Sequence, residues 1–480
     1  MNVTDLLWTV TGVYRRRLEK SAAALIAVER SLRTDTHRVP GADEFLELYQ
    51  WLSRADAEHF TQVWSDPAAY YWVRRTVHFL AAIHGAPLDT LEQDNCAEVG
   101  SSGPIEALRS HLGEFKRFVL AAAMISGIDF SFTEPYAATL PLSLPGTDLN
   151  LAGSGRLTIR GFRQGRIDAK NLEEIQIETC PTVEVGGFRL TLNPRLFNLS
   201  GLGFAGDWTQ LPLEFQAQHS ELVTDALSAI ARLQPSTFSH FRKAIRAIAL
   251  KPAREGNFSS ISSSELPGAF VCSVPCDPYE LAATFIHEFH HNRLYFIEET
   301  GPFFELAGED AQNDAIDGEN HYSPWRDTPR PLHGLLHALY VYLPVFRFWG
   351  AAVREGGLIG PRLSYARDQL GRIPFQLQVG VNQLRRHARF TSFGSMLFEQ
   401  MARETADAEL EAHALGVTLA TPAMSLRANG IFRPTMCEGD SRQLTVGETL
   451  FGHLERSDIR GECAEEKLLL IRCNRIAVDR

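Results

Sequence analysis

The spacing of hydrophobic residues divides the chain into stretches with different predicted structures. Residues 1–127 are predicted to be helical, because segments such as LIAVERSLR and FKRFVLAAAMISG place apolar residues at i, i+3, i+4 and i+7. Gly127 stands where the second of these helices is expected to end, a position that glycine commonly takes. The pattern therefore predicts a helical N-terminal region.

Between residues 128 and 215 the pattern changes to an alternation of apolar and polar residues. The segments RLTIRGFRQGRI, IQIETCPTVEV and FRLTLNPRL show it, and Gly, Pro and Asn separate them. Alternation of this kind is typical of antiparallel strands that bury one face. We therefore expect a β-rich middle segment over residues 128–215.

Helical spacing returns from residue 216 to about 425. ELVTDALSAIARL and FSHFRKAIRAIAL predict helices, and AFVCSV, which follows a Ser-rich loop, predicts a short strand. Asp277 and Pro278 then occupy the N-cap and first-turn positions that open a further helix. Residues 332–349 predict another helix, and one or two more follow it.

The remaining residues, 426–480, alternate weakly and end in KLLLIRCNRIAV, a predicted strand. The expected fold class is therefore α+β and mostly helical. It combines the helical N-terminal region, the antiparallel β-rich segment and a helical domain over residues 216–425. A chain of 480 residues is long enough for two or three such packed regions.

Composition narrows the choice of partners and compartment. The net charge is −11 and no long Lys/Arg run is present, so we expect no nucleic-acid partner. The N-terminus lacks a signal-peptide pattern and no run of about 18 apolar residues occurs, so we expect no membrane partner. The seven cysteines are scattered and form no CxxC pair, which favours the reducing cytoplasm.

The stretch FIHEFHHNRLYF contains the motif HExxH, formed by His287, Glu288 and His291. Residues four apart on a helix lie on one face, so His287 and His291 can bind one metal ion. Six of the sixteen histidines fall between residues 287 and 337, which strengthens the case for a metal site. His290 lies off this face and is expected to be structural.

Zinc peptidases with this motif need a third protein ligand. The pattern HExxHxxGxxH is absent, because Leu294 and Ile297 stand where Gly and His are required. A glutamate on a second helix would serve instead, but the acidic stretch GEDAQNDAIDGEN has no helical apolar face. Glu309 and Glu319 stay open as carboxylate ligands in that stretch.

Residues 265–295 and 322–349 share several elements with a known family. These are P-G before the short strand, the HExxH helix, then S-P-W-R, R-P, and L-H in the next helix. The chain resembles the HExxH-motif family of peptide-modification proteins, which occur with ribosomal-peptide gene clusters. The resemblance covers about residues 260–350. It implies an Fe(II) and 2-oxoglutarate-dependent β-hydroxylase whose partner is a precursor peptide.

The resemblance also implies roles for particular residues. His287 and His291 would be two iron ligands and His337 the third, with Glu319 as its rival because the usual triad contains a carboxylate. Arg326 and Arg330 would bind the far carboxylate of 2-oxoglutarate, for which a guanidinium fork is suited.

Glu288 has two readings, and each belongs to a different enzyme class. In an oxygenase it would orient a metal ligand. In a zinc metallopeptidase or other zinc hydrolase it would be the general base. A third hypothesis is a non-catalytic peptide-binding protein that uses the β-rich segment for docking.

Overall fold

The structure is a computed structural model, and it divides the chain into two compact units, Met1–Thr300 and Gly301–Arg480. The residues that it describes are 10–34, 39–53, 57–84, 103–128, 130–131, 136–155, 158–159, 175–199, 202, 207–253, 259–275, 277–305, 321–326 and 328–419.

The first unit begins with helices, as the apolar spacing predicts. They are α1 (Val10–Thr34), α2 (Ala42–Leu52), α3 (Ala57–Trp64), α4 (Pro67–Ile83), α5 (Gly103–Gly113) and α6 (Lys116–Ser126). Trp72 lies at the centre of their core, with its ring 5.9 Å from that of Phe45 and 4.8 Å from that of Phe115. Gly127 ends α6 at φ 65°, so the predicted stop is confirmed.

Seven short strands follow in the described part of residues 128–215. They are β1 (Phe130–Ser131), β2 (Tyr136–Ser143), β3 (Leu149–Gly155), β4 (Thr158–Ile159), β5 (Ile175–Thr179), β6 (Thr182–Val185) and β7 (Phe188–Leu192). β2, β3 and β5 form an antiparallel sheet in that order, and β1 with β4 and β6 with β7 are antiparallel pairs. The predicted antiparallel strands are therefore confirmed for the described part of this segment.

A five-stranded sheet carries the second half of this unit. Helices α7 (Leu213–Gln218), α8 (Ser220–Leu233) and α9 (Pro235–Ala244) precede strands β8 (Ala247–Lys251), β9 (Ser260–Ser262) and β10 (Ala269–Ser273). The strand order is β6-β7-β8-β10-β9. β8 is parallel to both of its neighbours, and β9 is antiparallel to β10 at the edge.

One helix prediction is wrong at its C-terminal end. The segment FSHFRKAIRAIAL was predicted to be helical throughout, whereas α9 ends at Ala244 and AIALK forms β8. Residues 247–250 of this central strand are buried without alternation. A strand buried on both faces reads as a continuous apolar run, which apolar spacing alone does not distinguish from a helix.

The helix that carries the HExxH motif, α10, spans Pro278–Glu298. It begins as predicted, because the Asp277 side chain accepts hydrogen bonds from the backbone N–H groups of Tyr279 (2.8 Å) and Glu280 (3.2 Å). Its buried side packs on α8, α9 and β9. Aromatic rings fix this packing: Phe285 lies 5.5 Å from Phe270 of β10, between ring centroids.

The second unit is helical in its described part and contains α11 (Leu332–Glu355), α12 (Gly360–His387) and α13 (Ser392–Ala414), which pack on one another. α11 confirms the helix predicted from residue 332. It is also long and apolar enough to cross a membrane by length and composition, with 78 % of its apolar window buried. Such burial is typical of a core helix.

The fold is α+β and mostly helical, as predicted. The boundary between the two units falls at residues 300 and 301, inside the stretch 216–425 predicted as one metal-binding domain. The predicted segments 1–127, 128–215, 216–425 and 426–480 stay predictions as domains. The strand predicted in KLLLIRCNRIAV lies outside the described residues.

Candidate metal centre

The HExxH helix is buried on every side except one narrow stripe. Between Leu281 and Ile297 the only partly exposed residues are Thr284, His287, His291 and Tyr295. Their spacing of three or four residues keeps them on one face of an α-helix. The two motif histidines therefore stand on the only face of this stretch that is accessible to a ligand.

The Nε2 atoms of the two histidines approach each other at hydrogen-bonding distance. These atoms are 3.2 Å apart, and the ring centroids are 4.8 Å apart with the planes at 73°. Two imidazoles bound to one tetrahedral zinc at ordinary bond lengths have nitrogens about 3.3 Å apart, and a right-angled arrangement gives about 2.9 Å. The spacing of His287 and His291 therefore fits two ligands of a single divalent metal ion.

Glu288 lies next to this pair but faces the sheet. Its side chain is 2 % exposed, and its Oε1 atom is 3.9 Å from Nε2 of His287. Burial raises the pKa of Glu288 to about 7, and the hydroxyls of Ser260 and Ser262 and the charge of Lys251 offset part of that rise. Its Oε2 atom has no hydrogen-bond partner among the described residues. The carboxyl group is thus desolvated beside a metal-binding position.

Asn292 fixes the helix to the sheet, and the sequence analysis did not single it out. Its side chain is fully buried, accepts a hydrogen bond from the Gly268 N–H at 2.8 Å and donates one to the Glu288 carbonyl at 3.0 Å. Gly268 has φ 88°, and a side chain there would meet the Ala244 carbonyl. An amide side chain on the apolar face of the helix was the available signal.

His290 faces away from the stripe, as the motif spacing predicts. It is buried, and its Nδ1 atom lies 2.7 Å from the Ile286 carbonyl. Because a carbonyl oxygen only accepts, Nδ1 is the donor. This is the environment of a structural histidine.

The predicted third ligand, His337, belongs to the second unit. It is buried on α11, and its ring lies 4.3 Å from that of His333, between centroids. Its place in a ligand set with His287 and His291 stays a prediction. The rival ligands Glu309 and Glu319 lie outside the described residues.

The S-P-W-R segment is anchored within the second unit. Trp325 stacks on Tyr342 with ring centroids 5.6 Å apart, and it packs against Gly380 of α12. Arg326 is exposed, whereas Arg330 is half-buried and forms a β-bridge with His321 through backbone hydrogen bonds of 2.7 and 2.9 Å. The predicted role of the two arginines in binding 2-oxoglutarate stays a prediction.

Comparison of the chain with protein-family models and with curated proteins finds no match. The resemblance to the peptide-modification family therefore depends on the motifs of residues 260–350. The geometry of His287 and His291 is independent of that resemblance.

Proposed function

We propose that the protein is a metal-dependent enzyme whose metal is bound by His287 and His291. The observation that carries the proposal is the 3.2 Å spacing of their Nε2 atoms on the accessible stripe of an otherwise buried helix. The same distance would also allow a hydrogen bond between the two rings, in which one Nε2 donates and the other accepts. Imidazole nitrogen suits zinc and non-heme iron alike, so the reaction has to be argued from other residues.

The reaction that we propose first is Fe(II) and 2-oxoglutarate-dependent β-hydroxylation of a residue in a ribosomally made peptide. Its support is the family resemblance over residues 260–350. In this proposal His337 completes the iron site and Arg326 or Arg330 binds the far carboxylate of the keto acid. Iron with 2-oxoglutarate and O₂ supplies the oxidising power to hydroxylate a C–H bond.

Within this proposal Glu288 is a positioning residue. It sits 3.9 Å from Nε2 of His287 and is held between the helix and strands β8 and β9. A desolvated carboxyl group beside an imidazole favours one ring orientation and one protonation state. Asn292 and the Phe285 contact with β10 then keep the helix, and therefore both histidines, fixed against the sheet.

A peptide substrate fits the position of β9. This strand is the edge of the five-stranded sheet, and β10 is its sole strand neighbour in the part of the chain that the structure describes. An open strand edge can pair with an extended peptide through backbone hydrogen bonds. Because Ser260 and Ser262 of β9 lie near Glu288, a peptide on this edge would pass close to the histidine pair.

A second candidate is zinc-dependent hydrolysis of a peptide, and the position of Glu288 favours it. A general base works best when its pKa is close to the working pH, and burial raises the pKa of Glu288 to about 7 beside His287. Zinc polarises a carbonyl group and lowers the pKa of its bound water. In a hydrolase, Glu288→Gln should reduce the rate by about 10²-fold to 10⁴-fold. In an oxygenase, where Glu288 only positions a metal ligand, the loss should be smaller, about tenfold.

Mass spectrometry of peptides incubated with the enzyme separates the two reactions. The protein is loaded with Fe(II) or with zinc and mixed with a peptide library and, in the iron arm, with 2-oxoglutarate and O₂. The proposal predicts peptides that gain one oxygen atom in the iron arm only. Peptide cleavage in the zinc arm, lost in Glu288→Gln, would instead establish the hydrolase.

A further inference from the structure

The first unit contains a pocket at the far end of the HExxH helix from His287. It is partly open to solvent. Residues of α1, residues around the α3–α4 junction and Phe296 of the HExxH helix line it. Its polar lining includes Arg17, Ser21, Trp64 and Asp66, none of which belongs to the candidate metal centre.

Arg17 is the most unusual member of this lining. Its side chain is 5 % exposed, and its guanidinium lies 3.7 Å from the centroid of the Tyr70 ring. Its Nη2 atom donates to the Ser264 carbonyl at 3.1 Å and contacts Oε1 of Glu299 at 3.0 Å. These contacts fix the guanidinium on one side. Its Nε and Nη1 atoms are buried, and neither meets the geometry of a hydrogen bond with a described residue, although the nearby Tyr70 side chain favours the charged form of Arg17.

Two further residues of the pocket lining, Ser21 and Trp64, also carry buried hydrogen-bonding groups. The Ser21 hydroxyl and the Trp64 Nε1 atom are buried without a partner in the part of the chain that the structure describes. An indole N–H and a guanidinium only donate, and a hydroxyl can donate. Buried donors are costly to leave unpaired, so their meeting around one pocket calls for an acceptor. These donors suit a ligand that offers acceptor oxygens.

Charge narrows the class of ligand. The partner of Arg17, Glu299, is 25 % exposed and shares its charge with water and with the Tyr70 hydroxyl at 3.1 Å. Asp66 also lines the pocket, but its two oxygens already accept the Ala68 and Gly146 backbone amides, each at 2.9 Å. Burial lowers the pKa of Arg17, which reflects a positive charge that is poorly solvated. An anionic acceptor would compensate it.

We infer that this pocket binds a carboxylate, with Arg17, Ser21 and Trp64 donating to its two oxygens. Charge-assisted hydrogen bonds from a guanidinium to a carboxylate are among the stronger ones in proteins. Because the pocket is partly open, the carboxylate can be a free small acid or the C-terminus of a peptide chain. The two sources share the same recognition chemistry.

Isothermal titration of the full-length protein with acetate, in the presence of a metal chelator, tests the inference. Acetamide is the neutral control of similar shape and should not bind. Ser21→Ala and Trp64→Phe each remove one donor, and each should weaken acetate binding about tenfold. Ser21→Ala changes the shape of the site little, whereas Trp64→Phe leaves a smaller ring in the buried core, so thermal unfolding must first establish that this variant is folded. Both variants avoid the risk that loss of Arg17 unfolds the unit.

Ser65→Ala is the matched control variant. Ser65 lines the same pocket, but its hydroxyl already donates to the Gln62 carbonyl at 3.2 Å, so acetate binding should not change. A tripeptide with a free C-terminus is compared with the same tripeptide as its C-terminal amide. If the free tripeptide binds more tightly than acetate and the amide does not, the ligand is the C-terminus of a peptide chain. Equal binding of acetate and the free tripeptide identifies a small acid.

The inference is overturned if acetate shows no saturable binding to the wild type, or if acetamide binds as well as acetate. It is equally overturned if Ser65→Ala weakens binding as much as Ser21→Ala does. A crystal structure with acetate present and only water at Arg17 would have the same consequence. None of these outcomes bears on the metal centre, because the titration is performed without metal.

Discussion

Replacing Glu288 by glutamine should stabilise the metal-free first unit at alkaline pH and change its stability little at acidic pH. Burial raises the pKa of Glu288 from the ordinary 4.5 to about 7 in the folded chain. An acid whose pKa is higher in the folded than in the unfolded state does not reduce the free energy of unfolding while the pH is below the unfolded pKa. The free energy of unfolding falls as the pH rises towards the folded pKa. Glutamine carries no proton to lose, so the variant escapes this penalty.

The magnitude follows from the linkage between pKa and stability. One pKa unit corresponds to about 1.4 kcal/mol, so the rise at Glu288 amounts to about 3 kcal/mol at pH 8. At pH 5 the penalty is below about 1 kcal/mol, since most of the side chain is still protonated in the folded state. The variant should therefore gain about 3 kcal/mol over the wild type at pH 8 and much less at pH 5.

Native-state hydrogen exchange of the amides in the HExxH helix measures this difference, because it reports the opening free energy of that region. The experiment is run with a chelator, at pH 5 and pH 8. Glu47→Gln, an exposed position on α2, is the control and should change the opening free energy by less than about 0.5 kcal/mol at either pH. A difference for Glu288→Gln that does not depend on pH, or a variant less stable at pH 8, would refute the reasoning.

Two further substitutions test how the structure holds its elements in place. Asn292→Ala leaves the Gly268 N–H buried without an acceptor, and we expect a loss of about 2 kcal/mol in the opening free energy of the HExxH helix by hydrogen exchange. Unchanged exchange would contradict this anchoring role. Gly380→Ala puts a Cβ 2.6 Å from the Trp325 ring, and it should cost about 1–3 kcal/mol in thermal unfolding and alter Trp325 fluorescence. Gly357→Ala, which meets no atom within 4 Å, is its control, and equal effects of the two would contradict the packing.

The start of the HExxH helix and the shared face of His287 and His291 could be predicted from the sequence because both depend on near neighbours. Asp277 and Pro278 lie within one turn of the residues that they cap, and His287 and His291 are related by the helical repeat. These features depend on the local pattern of residues. They do not depend on where distant parts of the chain fold.

The environment of these residues could not be predicted in the same way. Glu288 is desolvated where the helix packs on the sheet, and Asn292 bonds Gly268, a residue 24 positions earlier. The misassigned strand AIALK has the same cause, because its burial on both faces depends on β7 and β10. For the same reason the HExxH pattern names two metal ligands and leaves the third to any other element of the fold.

The most direct test of the proposed function is an anaerobic titration of the metal-free protein with Fe(II) and then with 2-oxoglutarate, followed by visible absorption. The account predicts one equivalent of bound iron and a charge-transfer band that appears with the keto acid. His291→Ala should abolish both, whereas His290→Asn, which keeps a donor for the Ile286 carbonyl, should retain both. Iron binding that survives His291→Ala would contradict the metal centre. If the protein instead holds one zinc ion tightly and shows no charge-transfer band, the result would contradict the oxygenase and favour the hydrolase.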